Sequence, residues 1–239
     1  PVTLAGGLAL GNAEVLSSVV IQQLKRPGAP FIYGVQAHHM DMHSTISVYG
    51  SPEYELARVA SAEMGRFYGL PIWGNAGMSD SLWLDEQAAA EATFSLVIAQ
   101  LTGTHLAHDV GYLEAGLTTS PEMIVFCAEM ISQIRQFTEG VRLDAEHIAL
   151  EVIHAVGPGG SFIAEEHTLR HFREAWRPEL FRRYRMADWV RQGSKGLDVR
   201  LRERTLAKME EHKAQPLPDH VRREMQNVLG EVLAEAVMD

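Results

Sequence analysis

The sequence predicts an α/β fold: the C-terminal half of a (β/α)8 TIM barrel, with three βα units visible, followed by a helical C-terminal extension. Three short, mostly apolar segments share one pattern: Gly28-Ala-Pro-Phe-Ile-Tyr-Gly, Gly69-Leu-Pro-Ile-Trp-Gly and Gly103-Thr-His-Leu-Ala-His-Asp. Each has a helix-length segment before and after it, and alternation of strands with helices implies a parallel sheet. From about residue 141 the strand pattern stops and helical spacing takes over. Three βα units cannot close a barrel, which needs eight, so the simplest architecture is its last three units. The expected division is residues 1–140 for the βα units and 141–239 for the helical extension.

In each segment the glycine suits the left-handed position that ends a helix, and the apolar run suits a strand buried on both faces. Ser51-Pro52-Glu53 and Ser120-Pro121-Glu122 each place a hydroxyl at the N-cap, proline at the first helical position and an acid in the first turn. Leu56, Val59, Ala60, Met64 and Phe67 then recur near helical spacing up to Gly69. Asp85 caps a segment 86–101, and Asp144 a helix through Val156 that stops at Gly157-Pro158-Gly159-Gly160. Further helices are expected at 166–176, 197–214 and 219–237. Arginine and lysine crowd residues 170–213, which suits a solvated ion-paired surface or a docking face for an acidic partner. The chain opens without methionine, almost directly into an amphipathic helix, as expected of the later part of a longer polypeptide.

The 239 residues carry a formal net charge of −10, which argues against nucleic-acid binding because phosphates need a positive surface. Apolar runs are interrupted before a membrane-spanning length, so no membrane association is expected. One cysteine, Cys127, excludes an internal disulfide and fits a cytoplasmic location. It sits in "MIVFCAEM", where a buried structural thiol is the expectation.

Ligands in parallel α/β folds meet the carboxyl ends of the strands. That rule selects Tyr33, Gln36, His38, His39, Asp41 and His43 after the first strand. It selects Trp73, Asn75, Ser79, Asp80 and Ser81 after the second, and His108, Asp109, Tyr112 and Glu114 after the third. His39 and His43 would share a helical face as metal ligands, but "STISVYG" has no helical apolar period, so a polar loop over a pocket is preferred. Tyr33, Trp73 and Tyr112 place rings near one rim, where aromatic faces can attract an organic cation. His167 and His171 also share a helix face, with structural hydrogen bonding as the expected role.

Several stretches together resemble a known family: "PVTLAGGLALGNAEVL", "RPGAPFIYG", "MDMHSTISVYGSPEYEL", "FYGLPIWGNAGMSDSLWLDEQAA", "HLAHDVGYLEAGLTTSPEMIV" and "AVGPGGSFIAEEHTLRHFREAWRPEL". They are similar to the trimethylamine methyltransferase (MttB-like) family from residue 1 to about 185. The resemblance implies a TIM-barrel methyltransferase of roughly twice this length, of the kind used in methanogenesis-related methylamine chemistry. Such an enzyme moves a methyl group from a methylated or quaternary amine, trimethylamine-like or betaine-like, to Co(I) of a corrinoid (cobalamin) on a separate small protein. It implies a cognate corrinoid protein as partner, no tightly bound metal, and a homo-oligomer. The sequence contains no pyrrolysine, which favours the non-pyrrolysine branch.

Co(I) is itself the nucleophile in such chemistry, so the protein needs only to orient the methyl group in a dry pocket. The pocket set is then Tyr33, Trp73, Tyr112, Gln36 and Asp41, with Asp80, His108 and Asp109 as catalytic polar groups. Two departures stand out: Leu82 and Trp83 follow "SD" where relatives often show lysine, and histidines surround Met40-Asp41-Met42. The alternatives are a metal-dependent barrel hydrolase using the histidine loop, and a truncated, non-catalytic fragment.

Overall fold

The computed structural model describes residues 1–236, with side chains through residue 230. Helix α1 (Leu4–Lys25) leads to an extended segment around Tyr33, then α2 (Pro52–Phe67), β1 (Trp73–Asn75), α3 (Glu86–Leu101) and β2 (Leu106–His108). β1 and β2 pair in parallel, Trp73 with Leu106 and Asn75 with His108. Tyr33 makes a parallel bridge to Ile72, its N–H donating to Pro71 O and its carbonyl accepting from Trp73 N, both at 2.8 Å. The three expected strand segments therefore lie side by side in chain order. The fold is α/β, with mostly helical content and short strands.

The caps are where the sequence puts them. The hydroxyls of Ser51 and Ser120 accept from Tyr54 N and Met123 N, and the Asp85 carboxylate accepts from Ala88 N. Gly69 and Gly103 both take φ of +66°, the left-handed turn that stops α2 and α3 before the next strand.

After β2 the chain forms a hairpin of β3 (Tyr112–Leu113) and β4 (Thr118–Thr119), then α4 (Pro121–Thr138). α3 packs on α4 around Ala92, Leu96, Met123, Phe126, Cys127 and Met130. Arg58 on α2 grips both carboxylate oxygens of Glu55, at 2.7 and 2.6 Å, and reaches Ser95 O on α3. Burial raises the Glu55 pKa while Arg58 pulls it back down.

The remaining helices are α5 (Ala145–Ile148), α6 (Leu150–Val156), α7 (Glu166–His171), α8 (Met186–Arg191), α9 (Leu197–Glu211) and α10 (Asp219–Ala236). Compact units comprise Pro1–Arg202 and Glu203–Asp239. Within the first, the 141–202 region is tied to α4. The Leu180 and Phe181 amides donate to Glu129 Oε1 at 2.9 and 3.2 Å, and Trp176 Nε1 donates to Ser132 Oγ at 2.9 Å. The second unit holds the last turns of α9 and all of α10.

Several expectations need correction. The strands are not buried on both faces: Trp73 is 46% and Leu106 52% exposed, whereas Asn75 is fully buried. The helix begun by Asp144 breaks at Ala149, which adopts φ +52°, so α5 and α6 are separate. α7 stops at His171 rather than 176, α9 stops at 211, and α8 was not anticipated. Residue 237, the expected end of the last helix, lies outside the described residues. α1 has no buried residue and is long and apolar enough to cross a membrane by length and composition alone. Its polar positions are Asn12, Glu14, Ser17, Ser18, Gln22, Gln23 and Lys25, with only Glu14 and Lys25 charged. One face of α1 engages the fold, where Asn12 Nδ2 donates to the Tyr68 hydroxyl at 3.0 Å and Asn12 Oδ1 accepts from Tyr33.

Candidate functional site at the strand ends

Strand parity decides which side chains meet. Trp73 and Asn75 on β1, with Leu106 and His108 on β2, share one sheet face by the two-residue period. Tyr33 pairs one position earlier, with Ile72, and so points to the opposite, helix-covered face. It is fully buried there; its hydroxyl donates to Asn12 Oδ1 at 2.9 Å and its ring lies 5.7 Å from that of Tyr68. Burial, then Tyr68, pushes its pKa up to about 12. Tyr33 is thus a packing residue and not part of the rim.

On the other face, six residues close a ring of polar contacts. Gln36 Nε2 lies 3.1 Å from His108 Nε2, and His108 Nδ1 lies 2.6 Å from Asp109 Oδ1. Asn75 Nδ2 donates to Asp109 Oδ2 at 3.5 Å and to the Tyr54 hydroxyl at 2.5 Å. The Tyr54 oxygen lies 3.1 Å from His38 Nε2, which is 3.4 Å from Gln36 Oε1.

Donor accounting fixes the protons on one side of this ring. Asp109 can only accept, so His108 Nδ1 carries hydrogen and its Nε2 accepts from the Gln36 amide. The Tyr54 oxygen accepts from Asn75, and His38 Nδ1 lies 3.3 Å from Ser47 Oγ; the His38 tautomer decides which partner donates in its contacts with Tyr54, Gln36 and Ser47. Burial lowers the His38 pKa, opposed by Asp109, reinforced by His39 and opposed again by Asp80. The Tyr54 pKa is raised, chiefly by burial. Asn75 Oδ1 is buried and has no hydrogen-bond partner.

Aromatic rings surround this network, but not the expected three. His38 lies against Tyr54 with centroids 4.3 Å apart and meets the edge of Tyr49 at 5.1 Å. The Trp73 ring lies 4.6 Å from that of His108. Tyr112 follows on β3, its amide donating to Asp109 O at 3.1 Å. Tyr49 and Tyr54 were missed because they lie far along the chain from the strand end they cover. Asn75 stood among the strand-end residues but was not singled out.

The other expected residues have structural duties. Asp80 accepts from Tyr49 N and Gly50 N, both at 2.8 Å, clamping the first loop to the second. Glu91 on α3 supports that clamp, accepting from Ser79 Oγ at 2.6 Å and Asp80 N at 2.9 Å. Asp41 accepts from His43 N, Ser44 N and Ser44 Oγ, contacts that hold its carboxyl below the usual range. It caps a tight turn, closed by the Met40–Ser47 antiparallel bridge, through His43 and Ser44. Among the described residues, the histidine loop gathers no three ligand atoms in metal-binding proximity. Cys127 is fully buried, and burial pushes its thiol up to about 12.

Residues 1–232 match the family model described as trimethylamine methyltransferase. The chain belongs to this family. It is 33% identical to trimethylamine methyltransferase MttB of Desulfitobacterium hafniense strain DCB-2 over 96% of its own length and 46% of the relative's. It is 34% identical to trimethylamine methyltransferase MttB of Methanosarcina thermophila, over 95% of this chain and 47% of that one. It is 37% identical to a glycine betaine methyltransferase of D. hafniense strain Y51, over 80% of this chain and 40% of the relative. This member of the trimethylamine methyltransferase family thus spans about half the length of the curated relatives it matches.

Proposed function

We propose that this chain is the C-terminal half of a (β/α)8 barrel that transfers a methyl group from a methylated or quaternary amine to a corrinoid on a separate protein. Residues 1–140 supply βα units, and 141–239 the helical extension. The observation that carries the reading is the polar ring of Gln36, His38, Tyr54, Asn75, His108 and Asp109 at the strand ends, backed by Trp73, in a chain of this family. Its exposed strand face suits closure by further strands.

The residues fit such a substrate. A quaternary ammonium offers only polarised C–H groups, which aromatic faces and carbonyl oxygens attract. Trp73 supplies the face, buried Asn75 Oδ1 an acceptor with no other partner, and Asp109 a negative charge. Co(I) of a docked corrinoid would supply the nucleophile and accept the methyl carbon, the C–N electron pair leaving with a neutral amine from a quaternary ammonium or from a protonated tertiary amine. The chain's residues hold the methyl group in line and exclude water. Cys127 is buried and held un-ionised by burial, so its thiol offers no competing nucleophile. A cognate corrinoid protein, a cytoplasmic location and a homo-oligomer belong to the same proposal.

The test is methylation of cob(I)alamin by the full-length protein, followed by the Co(I) absorbance, with trimethylamine, glycine betaine and other quaternary amines. Amine-dependent loss of Co(I), reduced by Trp73→Ala and His108→Ala, is expected. Folded protein that methylates with none of the amines overturns the reading.

A further inference from the structure

We propose that α5 and α7 hold a divalent transition-metal site of Zn²⁺ type, formed by Glu146, His167 and His171. The ligand atoms of these three residues lie within 4.8 Å of one another. His167 and His171 stand four residues apart on one face of α7, ring centroids 4.4 Å apart, and Glu146 comes from α5. Tetrahedral zinc at about 2.0–2.1 Å from nitrogen and oxygen needs ligand separations of about 3.4 Å. His171 Nε2 is already 3.0 Å from Glu146 Oε1, so closure requires a small movement of side chains.

The second nitrogen of His171 is held as metal-bound histidines usually are. Its Nδ1 lies 2.6 Å from Glu174 Oε1, the carboxylate–histidine arrangement that fixes the ring and raises its basicity. Glu174 is supported in turn by His147, whose Nε2 lies 3.4 Å from its other oxygen; His147 Nδ1 is held by Asp144 at 2.8 Å. His147, His171 and Glu174 also converge, but that set would use the His171 nitrogen that Glu174 orients. The first set leaves the orienting contact intact.

Two imidazoles and one carboxylate select zinc-like ions over Ca²⁺ or Mg²⁺, which prefer all-oxygen sites. Glu146 and His167 line a cleft of about 620 Å³, which gives an ion and a fourth, water ligand access. Two groups occupy the ligands in the metal-free protein. Arg170 Nη1 pairs with Glu146 Oε1 at 2.6 Å, and His167 Nε2 lies 2.9 Å from Glu146 O. Metal entry displaces both and releases the His171 Nε2 proton. The site is remote in sequence from the strand-end ring and does not depend on the methyl-transfer proposal.

The test is Zn²⁺ titration of the chain against a chromophoric chelator, with Co²⁺ absorption spectra as a second readout and circular dichroism to confirm folding. One ion per chain is expected, bound more weakly at lower pH because protons compete. His167→Ala and His171→Ala should abolish it. Glu174→Gln should weaken it about 10–100-fold, Arg170→Ala should tighten it, and His154→Ala, which alters an exposed histidine outside the set, should leave it unchanged. Absence of saturable binding, or equal binding by folded His167→Ala and His171→Ala variants, overturns the site and leaves an ion-pair cluster only.

Discussion

His108 Nδ1 lies 2.6 Å from Oδ1 of Asp109, its neighbour in the chain. Adjacent residues of a strand point to opposite faces, so this contact needs a break in the alternation. Asp109 supplies it with φ of +66°, turning its carboxylate back onto the face that carries His108 and Asn75. The end of β2 is therefore where the strand stops being a strand and becomes a site.

Replacing Asp109 with Asn keeps a side chain that tolerates this backbone but removes the charge. A hydrogen bond to a charged group contributes about 1.5–3 kcal/mol, so kcat/KM of the full-length enzyme should fall on the order of 10–100-fold. Steady-state kinetics with the identified amine measure this, and a change under about twofold counts against a role for the carboxylate.

Asp80→Ala leaves the Tyr49 and Gly50 amides without their shared acceptor. Stability should drop by about 1–3 kcal/mol in urea denaturation. Asp80→Asn, which keeps one acceptor oxygen, should lose less. Equal midpoints for all three proteins would show that the loop does not need the clamp.

The His38 ring is partly desolvated, which lowers its pKa from 6.5. The unfolded chain then binds more protons, so this contribution to stability is present above about pH 6.5 and is lost as pH falls through the lowered folded value. His38→Gln should flatten that part of the stability–pH curve measured by urea unfolding between about pH 5 and 8.

The opposite slope belongs to His171, whose pKa is raised by Glu146 first and then Glu174. In metal-free protein its stabilisation is present below about pH 6.5 and is lost as pH rises through the raised folded value. NMR titration of the ring should show a pKa above 6.5 in the parent, returning toward 6.5 in Glu146→Gln. A ring titrating below 6.5 in the parent would contradict the paired geometry.

Cys127 should resist iodoacetamide in the folded protein and react only in denaturant, since its thiol is fully buried with a pKa near 12. Mass spectrometry at neutral pH checks this directly.

The helices were legible because their signals are local. Ser51, Asp85 and Ser120 cap where their chemistry requires, and Gly69 and Gly103 turn where only glycine turns freely. Gln36, His108 and Asp109 were found by the strand-end rule, and Trp73 by its ring. Ala149 was not legible as a helix break, because alanine favours continuing the helix. Tyr33 misled because a strand's facing depends on its register with Ile72, and register is a relation between distant segments.

The sequence by itself determined the α/β class, the caps and stops of the main helices, and the family, because these rest on spacing along the chain. Only the tertiary structure decided which polar groups face one another. It joined Tyr54 to the strand-end residues, linked Asn75 to both Tyr54 and Asp109, assigned Asp80 and Asp41 to loop geometry, and turned Tyr33 into the interior. It also brought Glu146 beside His167 and His171. Side-chain direction alternates or rotates with each residue, so one register step or one left-handed residue decides whether a group lines the site or packs behind it.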